Sequence, residues 1–177
     1  MKKIVYVLLS IVVLYACRTS KLPKGEEEVI NLCPANNSRD YFRSSAVGVS
    51  IDQNASYDLA YSACTERLGL AMNQKIEIMR DNYLADNKVN NAEEFKQKFQ
   101  NLSRTLVQQS LVGVTVTCNK TVKTSDGKYK TYLAVELSST ELLNKYNQEI
   151  NKDDQLKLDY DYEKFKKEFE KEMNKNK

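Results

Sequence analysis

Hydrophobic and polar positions change their period several times along this chain, and each change marks an element. Ser45, Val47, Val49 and Ile51 alternate with Ala46, Gly48 and Ser50, the period of two of a strand with one apolar face. Asp52 and Asn54 then offer N-caps. Over residues 55–84 the period becomes helical, with Ala60, Cys64, Leu68, Met72, Ile76, Met79 and Tyr83 at steps of three or four. Ala63 and Ala71 widen that stripe. Its first half is built of small side chains, which predicts a helix lying close against a sheet.

A polar connector over 85–91 leads to Asn91 and Glu94, spaced as a capping box. Phe95, Phe99, Leu102 and Leu106 follow on one face of a second amphipathic helix. The period then returns to two. Val114, Val116, Cys118 and Val122 alternate with Thr115, Thr117 and Thr121, and Tyr129, Thr131, Leu133, Val135 and Leu137 come back after Ser125-Asp126-Gly127. Asp-Gly between alternating runs predicts a β-hairpin. Ser138 and Glu141 form a second capping box, opening a short helix through Leu142, Leu143 and Tyr146. A polar stretch over 147–155 precedes a last helix from about Asp159, with Tyr162, Phe165, Phe169 and Met173 on one side. Its narrow stripe leaves open whether it docks or projects. The whole reads as an α+β domain: a small three-stranded antiparallel sheet, two main helices on one face and a C-terminal helix.

The N-terminus follows a different logic. Met1-Lys2-Lys3 is basic, residues 4–16 are an apolar run, and Leu14-Tyr15-Ala16-Cys17 closes it. That order matches a bacterial lipoprotein signal, in which Cys17 becomes the acylated N-terminus after cleavage behind Ala16. The run is too short for a membrane span, which needs roughly 20 residues. An ordinary secretory signal would want small residues at both −3 and −1, and Leu14 occupies −3. The bulky Tyr15 departs from the usual lipobox. Residues 17–40 hold both prolines, the triplet Glu26-Glu27-Glu28 and the run Asn36-Asn37-Ser38, a composition expected of a loose lipidated tether. The expected organisation is a signal over 1–16, a tether over 17–40, an α+β domain over 41–146 and a charged helical extension over 147–177.

Composition narrows the chemistry. Histidine is absent, which removes the commonest general base and metal ligand and every triad built on it. No glycine-rich nucleotide loop occurs among the five glycines. A net charge of +3, reduced when Lys2 and Lys3 leave with the signal, gives no nucleic-acid footprint. Asp159 and Asp161 lack the glycine and spacing of an EF-hand loop and are read as N-cap and first-turn anions of the last helix. The eleven tyrosines, without any tryptophan, suit docking seams better than carbohydrate stacking. Of the four cysteines, Cys17 is assigned to lipid, leaving Cys33, Cys64 and Cys118, an odd set. Cys64 and Cys118 are read as buried small hydrophobes. No catalytic residue, cofactor or metal site is expected.

Phe42-Arg43-Ser44-Ser45-Ala46-Val47-Gly48-Val49-Ser50, the helix with Leu59-Ala60-Tyr61-Ser62-Ala63-Cys64, then Leu111-Val112-Gly113-Val114 and residues 128–137 together resemble the LPP-twenty lipoprotein family. They also resemble the related N-terminal domain of the flagellar accessory protein FlgT. The resemblance covers 41–146 and maps the family's alanine-rich helix onto Ala60, Ala63 and Ala71, with Cys64 where another alanine is usual. It implies an envelope lipoprotein with no active site to transfer. The function expected is therefore a non-catalytic, membrane-anchored scaffold or interaction module, with the bilayer and an envelope protein or a second copy as partners. The alternative is a lipoprotein that binds peptidoglycan, a glycan or a small hydrophobic molecule. No acidic residue lies between Cys17 and Glu26, which favours the periplasmic side of the outer membrane.

Overall fold

A computed structural model describes residues 32–175. The expected signal, Ala16 and Cys17 lie outside the described residues. Strand β1 (Tyr41–Ser50) is followed by helices α1 (Gln53–Asp86) and α2 (Ala92–Leu111), then strands β2 (Thr115–Lys123) and β3 (Tyr129–Ser138). Helices α3 (Ser139–Ile150), α4 (Asp154–Leu158) and α5 (Tyr162–Asn174) complete the chain. The sheet is antiparallel with order β1-β3-β2, so the last strand in sequence is the central one. This is the α+β architecture with a C-terminal helix that the periodicity predicts.

Helix α1 forms where expected. The Asp52 carboxylate accepts from the Ala55 amide at 2.8 Å, satisfying an orphan N–H of the first turn. The stripe from Ala60 through Cys64, Leu68, Met72, Ile76 and Met79 to Tyr83 is buried throughout. Each large side chain in it contributes roughly 1.5–3 kcal/mol on burial. The small residues at its N-terminal half let the helix backbone approach β1 closely. A Cβ placed on Gly48 would sit 2.1 Å from the Ser56 carbonyl oxygen and 2.6 Å from the Ala60 nitrogen. That contact inverts the expected face of β1. The side turned to the helix carries Phe42, Ser44, Ala46 and Gly48, whereas Val47, Val49 and Ile51 are exposed. The alternation is real; the close approach of α1 selects its small-residue side.

Strand β2 also departs from simple alternation. A bulge between Val116 and Cys118 reverses the parity of the strand. Val116 pairs with Val135 on the helix side, and Cys118 pairs with Ala134 on the other side. The hairpin turn closes as predicted, with Gly127 at φ 84°, a conformation glycine adopts without steric cost. Beneath the sheet, Thr131 Oγ1 lies 2.7 Å from Ser56 Oγ and 2.8 Å from Thr121 Oγ1. A hydroxyl chain thus crosses the polar gap between α1 and the sheet.

Helix α2 packs on α1, burying Phe95, Phe99, Leu106 and Val107. Asn91 caps it as predicted, its side chain accepting from the Glu94 amide at 3.3 Å. Ser138 likewise caps α3. That helix runs further than its apolar triplet suggests, into the expected polar stretch and to the buried Ile150, and the short α4 begins at the end of that stretch and buries Leu156. Helix α5 docks. Phe165 is buried among Tyr83, Phe99, Tyr146 and Tyr160, with ring centroids 5.3–6.2 Å away. Asp161, expected in the first turn of a helix starting near Asp159, is instead its N-cap, because the helix begins at Tyr162. Asp159 instead accepts from the Asn90 side chain at 2.7 Å and from the Asn90 amide at 3.2 Å.

Two outcomes test this description. Gly48→Ala forces a methyl group against backbone atoms of α1 and should destabilise the domain by about 3 kcal/mol, read from urea unfolding; an unchanged midpoint would contradict the close approach. In the hairpin turn, hydrogen bonds from Lys128 and then Thr124 pull the Asp126 carboxyl down to about 2. Its support of the turn is complete above the ordinary carboxylate value of roughly 4 and is lost as pH falls toward 2. A carboxyl-carbon NMR titration should find the low midpoint, and one near 4 would remove the turn's ionic latch.

Candidate functional site

The face of the sheet away from α1 holds the feature that periodicity did not reveal. Cys33 and Cys118 form a disulfide with Cα atoms 5.6 Å apart, joining residues separated by 85 positions. Cys33, Tyr132 and Ala134 make a second buried cluster there, flanked by Leu32, Ala35 and Cys118. The segment expected to be the loose end of a tether is therefore a strap. Cys118, expected as a buried small hydrophobe, is half of a cross-link. The odd count of cysteines remaining after Cys17 is consistent with this pairing, because Cys64 stays free and buried.

Polar contacts continue the strap to β1. The Arg43 amide donates to Asn37 Oδ1 at 2.6 Å, and the Tyr41 amide donates to Ser38 Oγ at 3.2 Å. Arg43 Nε donates to Glu136 Oε2 at 2.8 Å across the β1–β3 pair. The Ser139 amide and hydroxyl donate to the carbonyls of Asp40 and Arg39, both at 2.9 Å. Residues 36–40 are thereby fixed to β1 and to the start of α3. Correct spacing of Cys33 and Cys118 could not be inferred from sequence, because the bulge decides which face Cys118 occupies.

Cys64 sits on the opposite side of the sheet, as expected of a small apolar residue. Its thiol donates to the Leu133 carbonyl at 3.3 Å, and burial pushes its pKa up. A thiol so placed is a poor nucleophile. Arg80 is buried and donates through Nε and Nη2 to Asp81 Oδ1 at 3.0 and 2.8 Å. Among the described residues, no group of three His, Cys, Asp or Glu side chains is placed to share a metal ion.

A cavity of about 180 Å³ lies between α2 and α4, lined by residues including Asn91, Phe95, Lys98, Leu156 and Asp159. It is smaller than the roughly 300–1,000 Å³ of small-molecule sites. Among the described residues the helix–sheet interface is filled: α1 backbone rests on Gly48, and no water-sized space lies among Phe42, Ile76 and Met79. Among the described residues, no helix is long and apolar enough to cross a membrane. Neither a protein-family model nor a curated protein matches the chain.

Replacing Cys33 and Cys118 together by serine removes the cross-link. Stability should fall by about 2–5 kcal/mol, measured by urea unfolding in parallel with the reduced wild-type chain. Equal midpoints for oxidised and reduced protein would show that the strap is held by its other contacts.

Proposed function

We propose that this chain is a bacterial envelope lipoprotein of the LPP-twenty kind, anchored by acyl chains on Cys17 and serving as a non-catalytic scaffold or interaction module. The Cys33–Cys118 disulfide is the observation that carries the reading. Such bonds persist in oxidising compartments such as the bacterial periplasm and are rare in the cytosol. An exported chain is what the N-terminal signal implies. The two features are independent, since one is a pattern of side-chain hydrophobicity and the other a geometric pairing of distant cysteines.

Ala60 and Ala63 lie on the half of α1 that runs beside β1, and the closing hairpin supplies the central strand. A filled helix–sheet interface favours a scaffold over the alternative of a binder of peptidoglycan, a glycan or a hydrophobic molecule. The outer membrane, on its periplasmic side, remains the proposed location. More than one acyl chain on Cys17 makes anchoring stable, where a single chain would be marginal.

Cys17→Ala is the direct test in cells. It should leave an uncleaved precursor and abolish acylation of the chain, read by intact mass after detergent extraction. Wild-type chain found without a lipid adduct at Cys17, or acylation unchanged by the substitution, would overturn the anchor.

A further inference from the structure

Beyond the strap, the outer face of the sheet is open and has an unusual mixture of side chains. Register places Val47 opposite Tyr132 and Tyr132 opposite Lys120, and it places Val49 opposite Lys130 and Lys130 opposite Val122. These residues share one face. Val47, Val49 and Val122 are 42%, 48% and 38% exposed, and Ile51, one residue beyond β1, is 80% exposed. Lys130 Nζ stands 5.3 Å from the centre of the Tyr132 ring. At the hairpin tip Asp126 is the acidic residue, already paired with Lys128 at 2.8 Å, while Lys123, opposite Tyr129, lies on the other face of the sheet. The face's other carboxylate, Glu136, lies at the far end, paired with Arg43.

We infer that this face docks on an anionic phospholipid surface, with Val47, Val49, Ile51 and Val122 entering the headgroup region and Lys120 and Lys130 meeting lipid phosphates. The inference rests on the proposed anchor at Cys17 for its orientation. Leu32 and Cys33 pack on this face, so the chain coming from Cys17 joins the domain on the side that carries the lysines. The stretch between Cys17 and Leu32 can span at most roughly 50 Å fully extended. That reach keeps the domain within encounter distance of the bilayer, and the outer face can meet it without the chain passing around an edge. Charge complementarity selects the occupant. Aliphatic side chains interleaved with lysines suit an interface of acyl tails and anionic headgroups, and each surface lysine near such a membrane adds an increment to binding. A second copy would bring the same lysines face to face.

The chain lacks tryptophan, so one introduced residue gives a clean fluorescence signal. Residues 32–175 contain the packed core and the disulfide. The chain from Cys17 onward, unacylated, therefore tests the face apart from the anchor. Val49→Trp should shift its emission to the blue on vesicles of phosphatidylcholine and phosphatidylglycerol in equal parts. Leu70→Trp, exposed on α1, should not shift. Adding Lys120→Gln and Lys130→Gln to the Val49→Trp chain should weaken vesicle partitioning roughly tenfold or more, with circular dichroism unchanged. The inference is overturned by an unshifted Val49→Trp spectrum or by equal shifts on phosphatidylcholine alone. It is also overturned by a shift that follows protein concentration without vesicles, which would mark a second copy as the occupant. Acylation at Cys17 found alongside any of these results would leave the anchor standing and remove only the docking face.

Discussion

The contact between α1 and β1 at Gly48 governs the rest of the architecture. Two backbones approach to a distance at which a single methyl group has no room. Such proximity is possible only where both partners carry small side chains, and Ala46 and Gly48 on the strand meet Ser56 and Ala60 on the helix. Once α1 is seated, Cys64 and Leu68 continue along the sheet, and the far half of the helix becomes the platform for α2 and α5. The hydroxyls of Ser56, Thr131 and Thr121 fill the remaining polar gap. A larger residue at any of these points would lift the helix and uncover the sheet.

The far half of α1 is packed by a different principle. There aromatic rings fill the space between elements. Tyr83, Phe95, Phe99, Tyr146 and Phe165 form one connected cluster that draws a residue from each of α1, α2, α3 and α5. The Tyr83 hydroxyl donates to the Asp159 carbonyl and accepts from the Asp161 amide, both at 2.9 Å. Lys75 on α1 donates to the Glu172 carbonyl at 3.1 Å. The C-terminal helix is thereby fixed at both ends. Its charged composition does not keep it out of the core: Glu168 and Glu172 are themselves buried, paired with Lys171, Lys75 and Lys175.

Local features were legible in the sequence because local physics controls them. Asp52, Asn91 and Ser138 cap helices where their side chains can accept from nearby amides, and the Asp-Gly pair closes the hairpin. The buried stripe of α1 follows from helical period alone. Which face of β1 turns inward was not legible, since valines at 47 and 49 are individually better core residues than alanine and glycine. Only the proximity of another backbone makes the smaller side preferable. The bulge at Val116 and Cys118 was hidden for a similar reason: an unbroken alternation of valine and threonine carries no mark of an extra residue. With the bulge unseen, the pairing of Cys118 with Cys33 could not be deduced. The proposed acylation site stands apart, as a motif read wholly from residues 1–17.

The disulfide also decides how the domain bears force. Tension applied along the chain before Leu32 would, without the cross-link, run through residues 34–40 and reach β1 at Tyr41. Pulled from its end, β1 would open from β3 one hydrogen bond at a time. The bond between Cys33 and Cys118 hands that tension directly to β2, in register with Ala134 of the central strand. Strand β1 and helices α1 and α2 then lie within a covalent loop that carries none of the load. The cross-link makes the domain a mechanical fixture: a pull through the chain before Leu32 leaves its seated helix and first strand slack.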